Sequence, residues 1–280
     1  LGRPRNLMNI LSNMWPLLTV AIGETFVLIV AGIDLSQVAI MAVSSVAGAA
    51  LITNAVDPVL FTKSPLWGWI LSDNGGVLSG GAWAIVVVLL VMVTIGVIIG
   101  AINGASVAIF RMPPFIVTLV AFMFFGNFAI FLTKSENIMN LPEYYTNIAV
   151  EHAGVFSISM AIAIGWAIVA HFILSRTLIG RWLYAVGMNE RAARVSGIPT
   201  RRVIMFAYIF SGVSAVLAAL LYSSRLQGGR PVLGGLPLIL DIVGANIIGG
   251  MSLTGGRGKV TWTVLGVLFF VVLSNTLSQM

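Results

Sequence analysis

Residues Arg176 to Arg202, RTLIGRWLYAVGMNERAARVSGIPTRR, form the one long polar interval between strongly apolar segments, and they decide how the whole chain lies. The interval carries Arg176, Arg181, Arg191, Arg194, Arg201 and Arg202 against a lone Glu190. A basic stretch between apolar segments belongs on the cytoplasmic side of a membrane. A short helix within it has both ends marked. Asn189 suits the cap of the first turn, Gly197 the left-handed position after the last, and Pro199 blocks continuation. A helix of about two turns is marginal in water, because its nucleation cost is spread over few hydrogen bonds. Two readings stand side by side: a helix docked in a groove of a partner through the small, flat residues Ala192, Ala193 and Val195, or an ordinary basic loop that sets topology.

Composition agrees with the membrane reading. The 280 residues are 59% hydrophobic and 9% charged, whereas a soluble domain carries roughly 25% charged residues. The chain therefore reads as a polytopic membrane protein. Its net charge of +6 is concentrated in the quoted loop and forms no stripe with interleaved aromatics, so nucleic acid is an unsuitable partner. The absence of cysteine removes disulfides, thiolate metal sites and cysteine nucleophiles. His152 and His171 stand apart with no acidic partner at ligand spacing, which points to no metal site. No clustered acid, base and nucleophile set suggests catalysis.

Spanning a bilayer as a helix takes about 20 apolar residues. That ruler gives eight candidate spans: Trp15 to Ala31, Val38 to Val56, Ala82 to Ile102, Phe115 to Leu132, Val155 to Leu174, Val203 to Tyr222, a shorter one from Leu238 to Leu253, and Val260 to Leu277. The expected fold is all-α, a single transmembrane domain over 1–280 with a cytoplasmic loop at 176–202. Placing that loop inside also brings Arg111, Arg257 and Lys259 inside, as the lysine and arginine bias requires. Both ends then lie outside, where Arg3 and Arg5 sit awkwardly. With Leu1 in place of an initiator methionine, this suggests a longer native chain with a further helix at each end. The outer segment Asp57 to Gly81, rich in Pro, Gly and Trp, suits an interfacial excursion. The acidic segment Lys134 to His152 suits a solvated connector or a contact with a soluble partner.

Several polar residues interrupt the apolar intervals. Glu24, followed by Thr25, lies near the middle of the first span, where an ionisable group is costly and by default functional, a structural hydrogen-bonded carboxyl being the alternative. Gly32-Ile33-Asp34-Leu35-Ser36 breaks what would be a continuous apolar run. It reads either as a tight turn in which Asp34 and Ser36 cap the next helix, or as a discontinuous helix with a polar end facing a pathway. Asn103 and Asn246 are either hydrogen-bonding groups for a substrate or glue between helices. Glu24, Thr25, Asp34, Ser36, Asn103 and Asn246 are thus the candidate pathway residues. Gly96, Gly100 and Gly104, and Gly244, Gly249 and Gly250, read as close-packing faces. Gly255-Gly256-Arg257-Gly258-Lys259 is not a phosphate loop, since Leu253 and Val260 occupy places that need Gly and Ser or Thr.

Taken together these stretches resemble the permease subunits of bacterial ABC importers of the ribose and simple-sugar type. The likeness rests on Asn6-Leu7-Met8-Asn9-Ile10-Leu11, Gly23 with Thr25-Phe26-Val27, and Gly32-Ile33-Asp34-Leu35-Ser36. It continues through Asn103-Gly104, Pro114-Phe115-Ile116-Val117-Thr118-Leu119, Gly180-Arg181, Tyr184-Ala185-Val186-Gly187, Asn189, Ala192-Ala193-Arg194 and Ser196-Gly197-Ile198. Ser211-Gly212, Ile248-Gly249-Gly250, Ser252-Leu253 and Gly255-Gly256-Arg257-Gly258 complete it. The resemblance implies a type II importer bundle with about ten spans at full length. It implies that Gly187, Asn189, Glu190, Ala192, Ala193, Arg194, Gly197 and Ile198 meet a separate ATP-binding subunit, which holds ATP and Mg. It further implies a second permease subunit, a periplasmic sugar-binding protein, residence in the bacterial inner membrane, and sugar import by alternating access. The chain departs from the family pattern at Gln37 and Val38, where Val-Gly usually follows the Asp-Leu-Ser motif, and at Glu24, where Met or Gln is common. The alternatives are an ion-coupled secondary transporter with Glu24 as proton carrier, a membrane enzyme, and a passive channel.

Overall fold

In the bilayer core every backbone N–H and C=O needs an internal partner, so apolar intervals of this length fold as helices. The computed structural model describes residues 4–150, 152–153 and 156–278. Its helices are α1 (Pro4–Ile29), α2 (Gln37–Ile52), α3 (Pro58–Phe61), α4 (Ala84–Ala108), α5 (Pro114–Thr133) and α6 (Glu143–Val150). They continue with α7 (Ile158–Arg176), α8 (Leu178–Met188), α9 (Glu190–Val195), α10 (Thr200–Arg225), α11 (Gly235–Ile248) and α12 (Val260–Leu277). Two small antiparallel hairpins, β1 (Leu71–Ser72) with β2 (Gly75–Gly76) and β3 (His152–Ala153) with β4 (Phe156–Ser157), lie in loops between the helices.

Each of the eight apolar intervals contains a helix, but their lengths differ. Six are long and apolar enough to cross a membrane: Ile10–Ile29 within α1, and α4, α5, α7, α10 and α12. The intervals expected at Val38 to Val56 and Leu238 to Leu253 are α2 and α11, of only 16 and 14 residues. At ~1.5 Å per residue these reach about 24 and 21 Å, short of a hydrocarbon core of about 30 Å.

The centre of the bundle is α1 and α10, whose apolar windows are 83% and 72% buried, against 28% for α4 and 17% for α5. Small residues set the closest crossing. A Cβ on Gly96 would lie 2.6 Å from the Gly212 carbonyl, and one on Gly100 2.5 Å from that of Tyr208. One on Gly104 would lie 2.9 Å from Cα of Met205. The four-residue spacing puts all three glycines of α4 on one face, and that face lies directly on the α10 backbone. Of the second glycine set only Gly249 works this way, its Cβ position falling 2.3 Å from the Trp262 carbonyl, whereas Gly244 and Gly250 have room. Between α1, α10 and α7 the rings of Phe26, Phe210 and Trp166 stack at 3.9 and 4.8 Å.

The two loops expected on the outer side are more structured than connectors. Asp57 caps α3 by accepting from Val59 N, and the β1–β2 hairpin lies against the last turn of α2. Gly76 N donates to Thr53 O and Leu78 N to Leu51 O, both at 2.8 Å. In the Lys134 to His152 segment α6 docks on the C-terminal end of α10, where Tyr145 Oη and Ser223 Oγ lie 2.6 Å apart and Ser224 Oγ donates to Tyr145 O. His152 has a described backbone only.

Candidate functional site

The segment 30–36 is no tight turn between two spans. Helix α1 ends with Ala31 in the left-handed region (φ 61°), Ala31 N donating to Leu28 O and Gly32 N to Val27 O. Gly32 is required there, because a Cβ would approach the Tyr208 hydroxyl to 2.6 Å. The chain then runs back into the bundle before α2 begins. Gln37 Nε2 donates to Val20 O and to Ser211 Oγ. Val20 lies nine residues before the C-terminal end of α1 and Ser211 eleven after the N-terminal end of α10, so α2 starts about 13–16 Å inside the bundle. Irregular backbone at such depth is tolerated only when other protein groups satisfy it.

Two carboxyls and four polar side chains do so here. Asp34 Oδ1 accepts from Ser36 N at 3.0 Å and from Ser36 Oγ at 2.6 Å, and its Oδ2 accepts from Ser211 Oγ at 2.6 Å. Asn103 Nδ2 on α4 donates to Ser36 Oγ at 2.8 Å. The Glu24 carboxyl accepts from Asp34 N, 3.2 Å from Oε1 and 3.3 Å from Oε2, while Thr118 Oγ1 on α5 donates to Ile33 O. The expected cap is absent in its simple form: Ser36 occupies the cap position, but its hydroxyl is spent on Asp34 and makes no bond to the first amides of α2. Glu24, Asp34, Ser36 and Asn103 are thereby brought together in one buried joint linking α1, α2, α4 and α10. Gln37, which the sequence marked only as a departure from the family pattern, and Ser211, marked only as a part of that pattern and not as a site residue, complete it. Gln37 Oε1, Asn103 Oδ1 and Tyr208 Oη remain without a protein partner beside this joint.

Thr25 and Asn246 belong elsewhere. Asn246 Oδ1 lies 3.1 Å from Thr25 Oγ1 and 2.9 Å from Thr263 Oγ1, and Asn246 Nδ2 donates to Ala21 O. These fully buried groups clasp α1, α11 and α12 and face one another, not a passage. Asn127 is the reverse case. It is an exposed amide in the middle of apolar α5 and lines a cavity of about 200 Å³ with Ala39 and Ala42 of α2. Its position inside an apolar run was the signal for it.

The interval 176–202, expected on the cytoplasmic side, forms two helices. Thr177 caps α8 by accepting from Gly180 N, and Gly180, Leu183 and Val186 form its buried stripe. Asn189 Oδ1 caps α9 by accepting from Ala192 N at 2.9 Å. At the other end Gly197 takes φ 82°, Ile198 N donates to Ala193 O and Gly197 N to Arg194 O, a paired closure that stops the helix before Pro199. Ala193 turns inward and is 5% exposed, whereas Val195 is 90% exposed, with Arg191, Ala192 and Arg194 beside it. The outward face is therefore made of Arg191, Ala192, Arg194 and Val195. Glu190 is held by an ion pair to Arg194. Gly187 is also an internal contact, since a Cβ there would strike the Ile29 carbonyl at 1.8 Å.

An Asp34→Ala variant is expected to lose thermal stability through three unmatched buried donors, by about 3 kcal/mol in all. Asp34→Asn, which keeps one acceptor, should lose less; equal melting of both variants and the parent would refute the bracing role.

Residues 6–280 match the family described as branched-chain amino acid transport system / permease component. The ribose import permease protein of Bacillus subtilis (strain 168) is 32% identical over 98% of this chain and 77% of its own length. The D-allose transport system permease protein of Escherichia coli (strain K12) is 30% identical over 92% of this chain and 71% of its own. For the galactofuranose transporter permease protein of the same strain the values are 29%, 93% and 69%. No solved structure matches the chain.

Proposed function

The chain belongs to the family of branched-chain amino acid transport system permease components, and from that premise we propose that it is the membrane-spanning subunit of an ATP-driven importer of a simple sugar. Family membership makes it a multi-pass membrane transport subunit. The finer reading, with residence in the bacterial inner membrane, adds a second permease subunit, ATP-binding subunits that hold ATP and Mg, and a periplasmic sugar-binding protein.

The observation that carries it is α9: a six-residue helix, closed at both ends, seated on the bundle through Ala193 with its outer face uncovered. So short a helix gains little by itself. Its rigid closure suits a handle by which ATP-driven motion of a neighbour reaches α8 and α10. The chain's own glycine loop is engaged in packing, with Gly256 N donating to Ile29 O and Gly258 O accepting from Tyr184 Oη, which supports the reading that nucleotide chemistry belongs to another subunit. On this reading the passage runs along the α2–α5 face past Asn127. The joint at 30–36 would be where the bundle yields as access alternates. A proton-carrying Glu24 fits less well, because its carboxyl is sealed at 0% exposure against the Asp34 amide.

The test is uptake of labelled pentose or hexose by the reconstituted assembly with its binding protein. Uptake is expected to need ATP and to persist with an uncoupler present. Uptake without ATP that collapses with the uncoupler would replace this reading with ion coupling.

A further inference from the structure

A cavity of about 530 Å³ opens between the inner ends of α7 and α12, beneath the glycine loop. Leu174, Val260 and Trp262 give it an apolar wall, and Arg257 and Lys259 give it a cationic rim, with His171 also in the lining. Both basic side chains are exposed, and among the described residues no carboxylate pairs with either. Lys259 Nζ lies 5.6 Å from the centre of the Trp262 ring. The loop that presents them is fixed from two sides, at Ile29 O and at Tyr184 Oη. Away from this rim, exposed apolar side chains continue along both helices, Ile168 on α7 and Leu265 and Phe269 on α12.

Cations at the membrane border, an interfacial tryptophan, and apolar tracks leading into the bilayer together match one kind of molecule. We propose that this cavity binds the phosphodiester headgroup of an anionic phospholipid of the inner leaflet, with its acyl chains lying along the exposed faces of α7 and α12. A free phosphate would use the rim but not the tracks. A zwitterionic lipid would use the tracks but bring its own cation to the rim. The site is independent of the substrate and of the energy source.

The intact assembly, extracted in detergent and stripped of lipid, is to be supplied with phosphatidylglycerol, phosphatidylcholine or inorganic phosphate, with bound lipid read by mass spectrometry and stability by thermal melting. Phosphatidylglycerol is expected to stay bound and raise the melting temperature, while the other two do neither. Each basic side chain near an anionic headgroup is worth about fivefold in affinity, so R257Q/K259Q should weaken retention about thirtyfold. R257K/K259R should keep it. Equal effects of phosphatidylcholine, reproduction of the shift by inorganic phosphate, or undiminished retention by R257Q/K259Q would each overturn the proposal. So would R257Q/K259Q shedding a co-purifying soluble polypeptide while its lipid response is unchanged.

Discussion

Replacing Gly100 with leucine is expected to take the bundle apart. The first added atom alone would sit 2.5 Å from the Tyr208 carbonyl and 2.9 Å from Cα of Ile209. These are backbone atoms of the most heavily engaged helix, so no rotamer change makes room. Overpacking a core costs typically 1–3 kcal/mol. With backbone as the obstacle, about 3 kcal/mol or more is expected, a large part of a stability of roughly 5–15 kcal/mol. Gly165→Leu on α7 is the matched control, since nothing lies within 4 Å of its Cβ position. Size-exclusion profiles and melting of the two variants decide the matter. If both behave like the parent, the glycine face of α4 does not set the crossing with α10.

The second large effect concerns function with the fold intact. Ala192→Trp and Val195→Glu alter only the outer face of α9, where Val195 is 90% exposed. If that face seats the ATP-binding subunit, its central contacts are worth about 2 kcal/mol, and uptake should fall roughly thirtyfold with melting unchanged. The mirror experiment is Ala193→Trp: this residue is 5% exposed, so the variant should lose stability first and uptake only as a result. Undiminished, ATP-dependent uptake by Ala192→Trp would remove the docking role of α9.

What the sequence made legible was whatever local chemistry determines. Asn189, Gly197 and Pro199 delimit α9 because cap, left-handed terminus and stop are properties of a few adjacent residues. The spacing of Gly96, Gly100 and Gly104 marks a packing face for the same reason. Helix α8 was hidden because Arg181 and Arg176 dominate the composition of its stretch, although Thr177 and the Leu183–Val186 stripe were signals for it. The depth of the 30–36 segment was not legible. It depends on Gln37 meeting Val20 and Ser211, and on Asn103 meeting Ser36, contacts between residues far apart in sequence. Thr25 and Asn246 likewise read as separate polar residues until the fold placed them opposite each other.

Helix α2 begins deep and ends early, and the β1–β2 hairpin completes its crossing. Gly75 and Gly76 fit there because a Cβ on either would fall within 2.3 Å of the backbone of α2 or of Thr53. A surface loop has thus become a stopper seated in the wall of the molecule. Its amide protons at Gly76 and Leu78 should exchange with deuterium as slowly as those of a core helix, and a protease cutting between Asp73 and Asn74 would leave the plug in place. Any molecule approaching this end of the bundle would meet the stopper, not the helix beneath it.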